Sequence, residues 1–160
     1  RADEARTAAA GFLAGAAGRE VVVHDFRDGF FPYTGGAIKE RFEELKRVKP
    51  DLVFTHYRND LHQDHRVISE LTRNTFRDHA ILEYEIPKYE GDLGQPNAYV
   101  AIHPELVERK IKTLLEVYPS QGARPWFDAE TFRGLMRLRG IECRSTFAEA
   151  FHVRKLRIAV

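Results

Sequence analysis

The sequence predicts an α/β domain built on a largely parallel sheet. Three observations carry this expectation. Helical and strand patterns alternate along the chain, in the order helix, strand, helix, strand, helix, strand. The strand-like runs are short, apolar and rich in β-branched residues, as in strands covered on both faces. The densest polar chemistry, "NDLHQDHR" at 59–66, follows directly on one of those runs. Ligands bind beyond the carboxyl ends of strands in such sheets. The 160 residues suffice for one domain, 1–160, with its own core, and no repeat or linker divides them.

Each element rests on a local pattern. Residues 2–17 are Ala-rich with Glu, Arg and Leu, which predicts a helix stopped by Gly18. "REVVVHDF" (19–26) predicts a buried strand, and "RDGFFPYTGG" (27–36) a loop. In 37–49, Ile38, Phe42 and Leu45 form a helical stripe that Pro50 ends. "DLVFTHY" (51–57) predicts a second buried strand. Val67, Ile68, Leu71 and Phe76 place a helix over 65–76. Strands are expected at 80–87 and 97–102, around a loop at 88–96. Pro104 opens a helix over 103–118, and 119–127 is irregular. Asp128 caps a helix over 128–140 that Gly140 stops. The tail from 146 to 160 is expected to be extended in part.

Composition excludes several classes. Lys and Arg number 25 against 24 Asp and Glu, a net charge of +1. A dedicated nucleic-acid binder usually carries a basic excess, so no nucleic-acid partner is expected. No apolar run is long enough to span a membrane. The one cysteine, Cys143, forms neither an internal disulfide nor a multi-thiolate zinc site, which fits a reducing, cytoplasmic setting. The charged "RADEARTAAAGFLAGAAG" is no secretory signal. The chain has no initiator Met, and Met136 is its only methionine.

"NDLHQDHR" has two readings. In the plain one, Asp60 caps a helix with Gln63 as its capping-box partner, and Asp64 favours the positive end of the helix dipole. The histidines are then ordinary first-turn residues. In the other, one imidazole binds a metal while the second protonates a leaving group or stabilises an oxyanion. A neighbouring carboxylate would fix its tautomer. Both can hold at once, because a helix N-terminus is a normal place for a site.

The segment resembles the PIG-L/LmbE-like zinc deacetylases, which hydrolyse the N-acetyl group of N-acetylglucosamine-type substrates. Their second motif, His-Pro-Asp-His followed by Arg and a helix, is similar to His62-Gln63-Asp64-His65-Arg66, with Gln in place of Pro. The opening Arg1-Ala-Asp-Glu4 resembles the family's Arg-x-x-Glu helix, "DFRDG" its Asp-Gly loop, and "KPDLVFTH" the strand feeding the motif. "ILEYEIPKY", "YPSQ", "RLRG" and "AEAF" are similar to one bacterial branch. The resemblance implies a Rossmann-like three-layer sandwich. It implies that His65 binds Zn2+, that His62 is a catalytic non-ligand, and that Asp64 tunes His62. It implies an N-acetylated amino sugar as substrate, with Arg1 as a contact.

The family's first motif, His-Pro-Asp-Asp-Glu, has no counterpart here. It would supply two more ligands and the general base. The reading therefore expects one zinc ligand of three in this chain, a first strand and half-site preceding Arg1, and little activity from these residues alone. Among the other histidines, His56 and His103 stand near strand ends and are the two to watch. Asp28 is a candidate for sugar hydroxyls, and Arg58 and Asp60 for shaping the pocket. Tyr84, Tyr89, Tyr99 and Trp126 are candidates for stacking on a sugar, or for the core. A non-catalytic carbohydrate-binding or assembly subunit is the alternative of a different class, and an amidase of thiol-sugar conjugates the alternative within the family. A nucleotide-binding module is disfavoured, since no Gly-x-Gly-x-x-Gly or Walker loop is present. The oligomeric state is open, a homo-oligomer included.

Overall fold

The computed structural model describes residues 1–156, so the last four residues of the expected tail lie outside it. The chain divides into two compact units, one of residues 1–25 and 100–149, the other of 26–99 and 150–160. Four strands form one sheet: β1 (Leu52–His56), β2 (Ala80–Tyr84), β3 (Ala98–Ala101) and β4 (Ala148–His152), in the order β1-β2-β4-β3.

The sheet is mixed, which corrects the expectation of a largely parallel one. β1 and β2 run parallel, from Leu52 opposite Ala80 to His56 opposite Tyr84. β4 runs antiparallel to β2, with Glu83 opposite His152 and Tyr84 opposite Phe151. β4 also opposes β3: Asn97 N–H donates to Phe151 O and Ile102 N–H to Phe147 O, so one strand's numbers climb as the other's fall. The connection explains the reversal. One crossover helix returns the chain for a parallel strand, whereas two helices lie between β3 and β4.

In the first unit, α1 (Ala2–Phe12), α4 (Pro104–Val117) and α5 (Ala129–Glu142) supply the core. Val107 and Ile111 on α4 meet Phe132 and Met136 on α5, each pair one helical turn apart. Ile102, Leu114, Phe127 and Phe147 pack around them. The Asp128 carboxylate accepts from the Thr131 N–H at 2.7 Å, the expected cap. Gly140 is not the expected stop. It lies inside α5, where a Cβ would stand 2.6 Å from Thr146 O. Its missing side chain is what lets the following segment approach the helix. The first helix also ends early, at Phe12, and Gly15 rather than Gly18 takes the left-handed conformation, at φ 90°.

The expected strand at 19–26 does not form. No strand among the described residues pairs with it, and Val22 is 60% exposed. A β-branched run becomes a strand only where a neighbour completes its hydrogen bonds.

In the second unit, a turn of 3-10 helix at Phe31–Tyr33 leads into α2 (Gly35–Leu45), then β1, α3 (Gln63–Thr75) and β2. β1 is covered on one face and not on both as expected. Thr55 is buried and its hydroxyl meets that of Thr72 on α3 at 2.9 Å, while Phe54, on the other face, is 55% exposed. The register places His56 and Tyr84 together at the carboxyl ends of the two parallel strands.

Candidate metal centre

The chain leaves β1 through Tyr57 and a turn at Arg58–Asn59, and α3 starts at Gln63. Asp60, between them, is buried. Its Oδ1 accepts from the His62 N–H at 2.8 Å, and its Oδ2 lies 2.8 Å from His65 Nδ1. The expected capping box does not form. His62 holds the N-cap position without a side-chain bond, and Gln63 donates instead to Gly29 O at 2.5 Å. Asp60 instead closes a turn of its own by accepting from the N–H two residues on.

His65 stands in the first turn of α3, and its ring stacks on that of His56, with centroids 4.0 Å apart and planes 6° from parallel. His62 also contacts His65, at 4.5 Å between centroids. His56, Asp60 and His65 each offer one donor atom, and the three atoms lie within 4.8 Å of one another. Sequence reasoning proposed His65 as a ligand, put Asp60 in the pocket and only watched His56. The missed signal was positional: His56 is the last residue of the strand that feeds the motif.

A second layer surrounds the cluster. Lys88 is nearly buried, and its Nζ lies 3.1 Å from Asp60 Oδ2 and 2.6 Å from Asp92 Oδ1. Asp92 Oδ2 accepts from the Leu61 N–H at 2.6 Å, so the 88–92 loop is tied to the motif. The Tyr84 hydroxyl lies 3.4 Å from His56 Nε2. Lys88 and Asp92 carried no signal in the sequence, because a polar pair in a loop reads as solvated.

The electrostatics follow from burial and pairing. Burial of His56, reinforced by the neighbouring His65, pushes its pKa down to about 3 against the pull of Asp60. The ring is therefore neutral near pH 7, the state a metal ligand needs. Burial pushes the Asp60 carboxyl upward, but bonds from His65, the His62 N–H and Lys88 outweigh it and hold it below the usual carboxylate range. Tyr84 is raised to about 12, by burial and then by Asp60.

The other site candidates fall as follows. Asp64 is buried, and its carboxylate accepts from Gly29 N–H at 2.6 Å and Phe31 N–H at 3.1 Å. It pins the 29–31 loop to the start of α3. His62 Nδ1 is buried without a hydrogen-bond partner. Asp28 is exposed in the turn before Gly29, whose φ is 81°. Arg58 is exposed, and its N–H donates to the buried Glu83 carboxylate at 2.9 Å. Arg1 belongs to the first unit, where its amino group lies 3.9 Å from Glu4. His103 is the N-cap residue of α4 in that unit. Tyr89 is exposed, and Tyr99 donates to Pro96 O at 2.9 Å.

The geometry defines an α/β fold with a His-Asp-His cluster at the carboxyl end of its parallel strands. Residues 1–76 match the model of the PIG-L family, described as GlcNAc-PI de-N-acetylase. No curated protein sequence matches the chain. Among solved structures, N,N'-diacetylchitobiose deacetylase from Pyrococcus horikoshii is similar at 23% identity and a TM-score of 0.60, over 80% of this chain and 54% of that one. Teicoplanin deacetylase, in a zinc-inhibited form, is similar at 16% and 0.57, over 91% and 61%. A 4-carboxy-2-hydroxymuconate hydratase from Pseudomonas putida is similar at 13% and 0.59, over 78% and 60%. At these identities the likeness establishes a shared fold, and that fold carries both a hydratase and deacetylases. The chain spans between half and two thirds of the length of these structures.

Proposed function

We propose that residues 1–160 are one domain of a zinc-dependent N-deacetylase acting on an N-acetylated amino sugar. The observation that carries this reading is the His56–Asp60–His65 cluster on a motif inside the stretch matched by the PIG-L family. The match over residues 1–76 favours deacetylase over hydratase chemistry, which the shared fold leaves open.

The residues fit the metal. His56 Nδ1 is buried and unpaired, and two imidazoles with one carboxylate are a common donor set for zinc. His56 and His65 would hold it, with Asp60 as third donor or as the group that orients His65. Zinc would supply Lewis acidity toward water and an amide carbonyl. His62, beside His65 and at the helix N-terminus, would stabilise the developing oxyanion or give the leaving amine its proton. By the family resemblance, Asp64 would set the state of His62. Asp28 and Arg58 are the substrate-contact candidates near the motif, and Arg1 is one by family resemblance alone. A cytoplasmic setting is supported by the single cysteine.

The test is acetate release from an N-acetylglucosamine conjugate by the complete protein, after chelation and after return of one equivalent of zinc. The expected result is activity that disappears with chelator and returns with zinc. Activity indifferent to chelator, or release from no acetylated sugar, would overturn the reading.

A further inference from the structure

The second unit holds a cavity of about 530 Å³ lined by Arg73, Arg77, His79, Ile81, Glu83, Arg154 and Lys155. Its lining follows β2 from His79 to Glu83 and includes none of His56, Asp60 and His65. Four cations thus surround one carboxylate in a chain whose total charge is +1. That carboxylate, Glu83, is 1% exposed and accepts from the Arg58 N–H. Like charges are costly to gather unless something compensates them.

Lys39 and Lys46, which line an adjacent cavity with Arg77, both pair with Glu43. The cations of the 530 Å³ cavity differ. Arg73 and Arg154 form no ion pair among the described residues. Arg77 Nε donates to Asn74 O at 3.2 Å and Lys155 Nζ to Arg77 O at 2.8 Å, so each is held by backbone rather than by an acid. Two buried nitrogens at the cavity, Arg73 Nη1 and His79 Nδ1, have no hydrogen-bond partner. A buried unsatisfied donor is expensive, and a guanidinium leaving one unpaired points to an acceptor. Burial, and then the nearby charges of Arg58 and Arg154, disfavour the charge on Arg73, against the opposite effect of Glu83.

We propose that this cavity binds a phosphoryl group, with Arg73 and Arg154 as the principal ligands and Arg77 and Lys155 at the rim. Guanidinium forks match phosphate oxygens in pairs, and a carboxylate offers fewer acceptors and less charge. The cavity is larger than a bare phosphate needs, which leaves room for a small organic body beside the phosphoryl group.

The experiment is calorimetric titration of the full chain at fixed ionic strength with inorganic phosphate, glycerol 1-phosphate and acetate. Saturable binding of either phosphate is expected, with acetate at least about tenfold weaker. Tighter binding of glycerol 1-phosphate assigns the site to a phosphate monoester, and tighter binding of inorganic phosphate to the free anion. Arg73→Gln and Arg154→Gln should each weaken the binding by about tenfold. Should Arg73→Gln fail to fold, the exposed Arg154→Gln decides alone. No saturation by either phosphate, or unchanged affinity in the folded variants, would overturn the proposal.

Discussion

At the scale of single residues, the histidines and acids of "NDLHQDHR" divide into different tasks. Asp64 serves the backbone, since it accepts from Gly29 and Phe31. Asp64→Ala would strand those two N–H groups, and denaturant titration should show a loss of roughly 2–4 kcal/mol. Unchanged stability would mean that the carboxylate acts on chemistry alone. His62 is predicted to split the other way: His62→Ala should lower kcat by about 10²–10⁴ with zinc affinity unchanged. His56 gives a pH signature to the metal-free chain. Its pKa lies near 3 in the fold and near the ordinary 6.5 when unfolded, so the unfolded state takes up the proton first. Stability contributed by neutral His56 is present above about pH 6.5 and is lost as pH falls from there toward 3, by up to about 1.4 kcal/mol per pH unit. Asp60, held low, adds its own loss only below the ordinary carboxylate range. Replacing His56 by Gln should flatten the upper window between pH 6.5 and 4, as read by denaturation midpoints. An identical slope in the variant would contradict the assignment.

At the scale of elements, the sequence was legible where the signal is local. Helical stripes, the Asp128 cap and the three strands around "NDLHQDHR" and its sequel rest on spacing and turn chemistry, and they stand within a few residues of expectation. Partnership was not legible. The run 19–26 has strand composition and no strand to pair with, and β4 reverses direction because two helices precede it. Gly140 reads as a helix stop because glycine often ends helices, yet here it admits the backbone of Thr146 and Phe147. Gly140→Ala is therefore expected to destabilise the fold by about 1–3 kcal/mol or more, although alanine favours helices. Thermal denaturation that shows a gain in stability would place that segment elsewhere. The candidate site divides in the same way. His62, Asp64 and His65 share one motif and could be found in it. His56, Lys88 and Asp92 join them only through the β1–β2 register and the 88–92 loop.

At the scale of the molecule, the account turns on whether His56, Asp60 and His65 act as one metal centre. The family match over 1–76, the cluster at the strand ends and the neutral, half-buried imidazole of His56 support it from different sides. The measurement that tests it most directly is zinc affinity of the full chain, read by competition with a chromophoric chelator, with circular dichroism to confirm folding. Saturable binding is predicted, weakened by about tenfold or more in each of His56→Ala and His65→Ala. Absence of saturable binding, or equal affinity in both folded variants, would contradict the metal centre and leave the family resemblance without its chemistry.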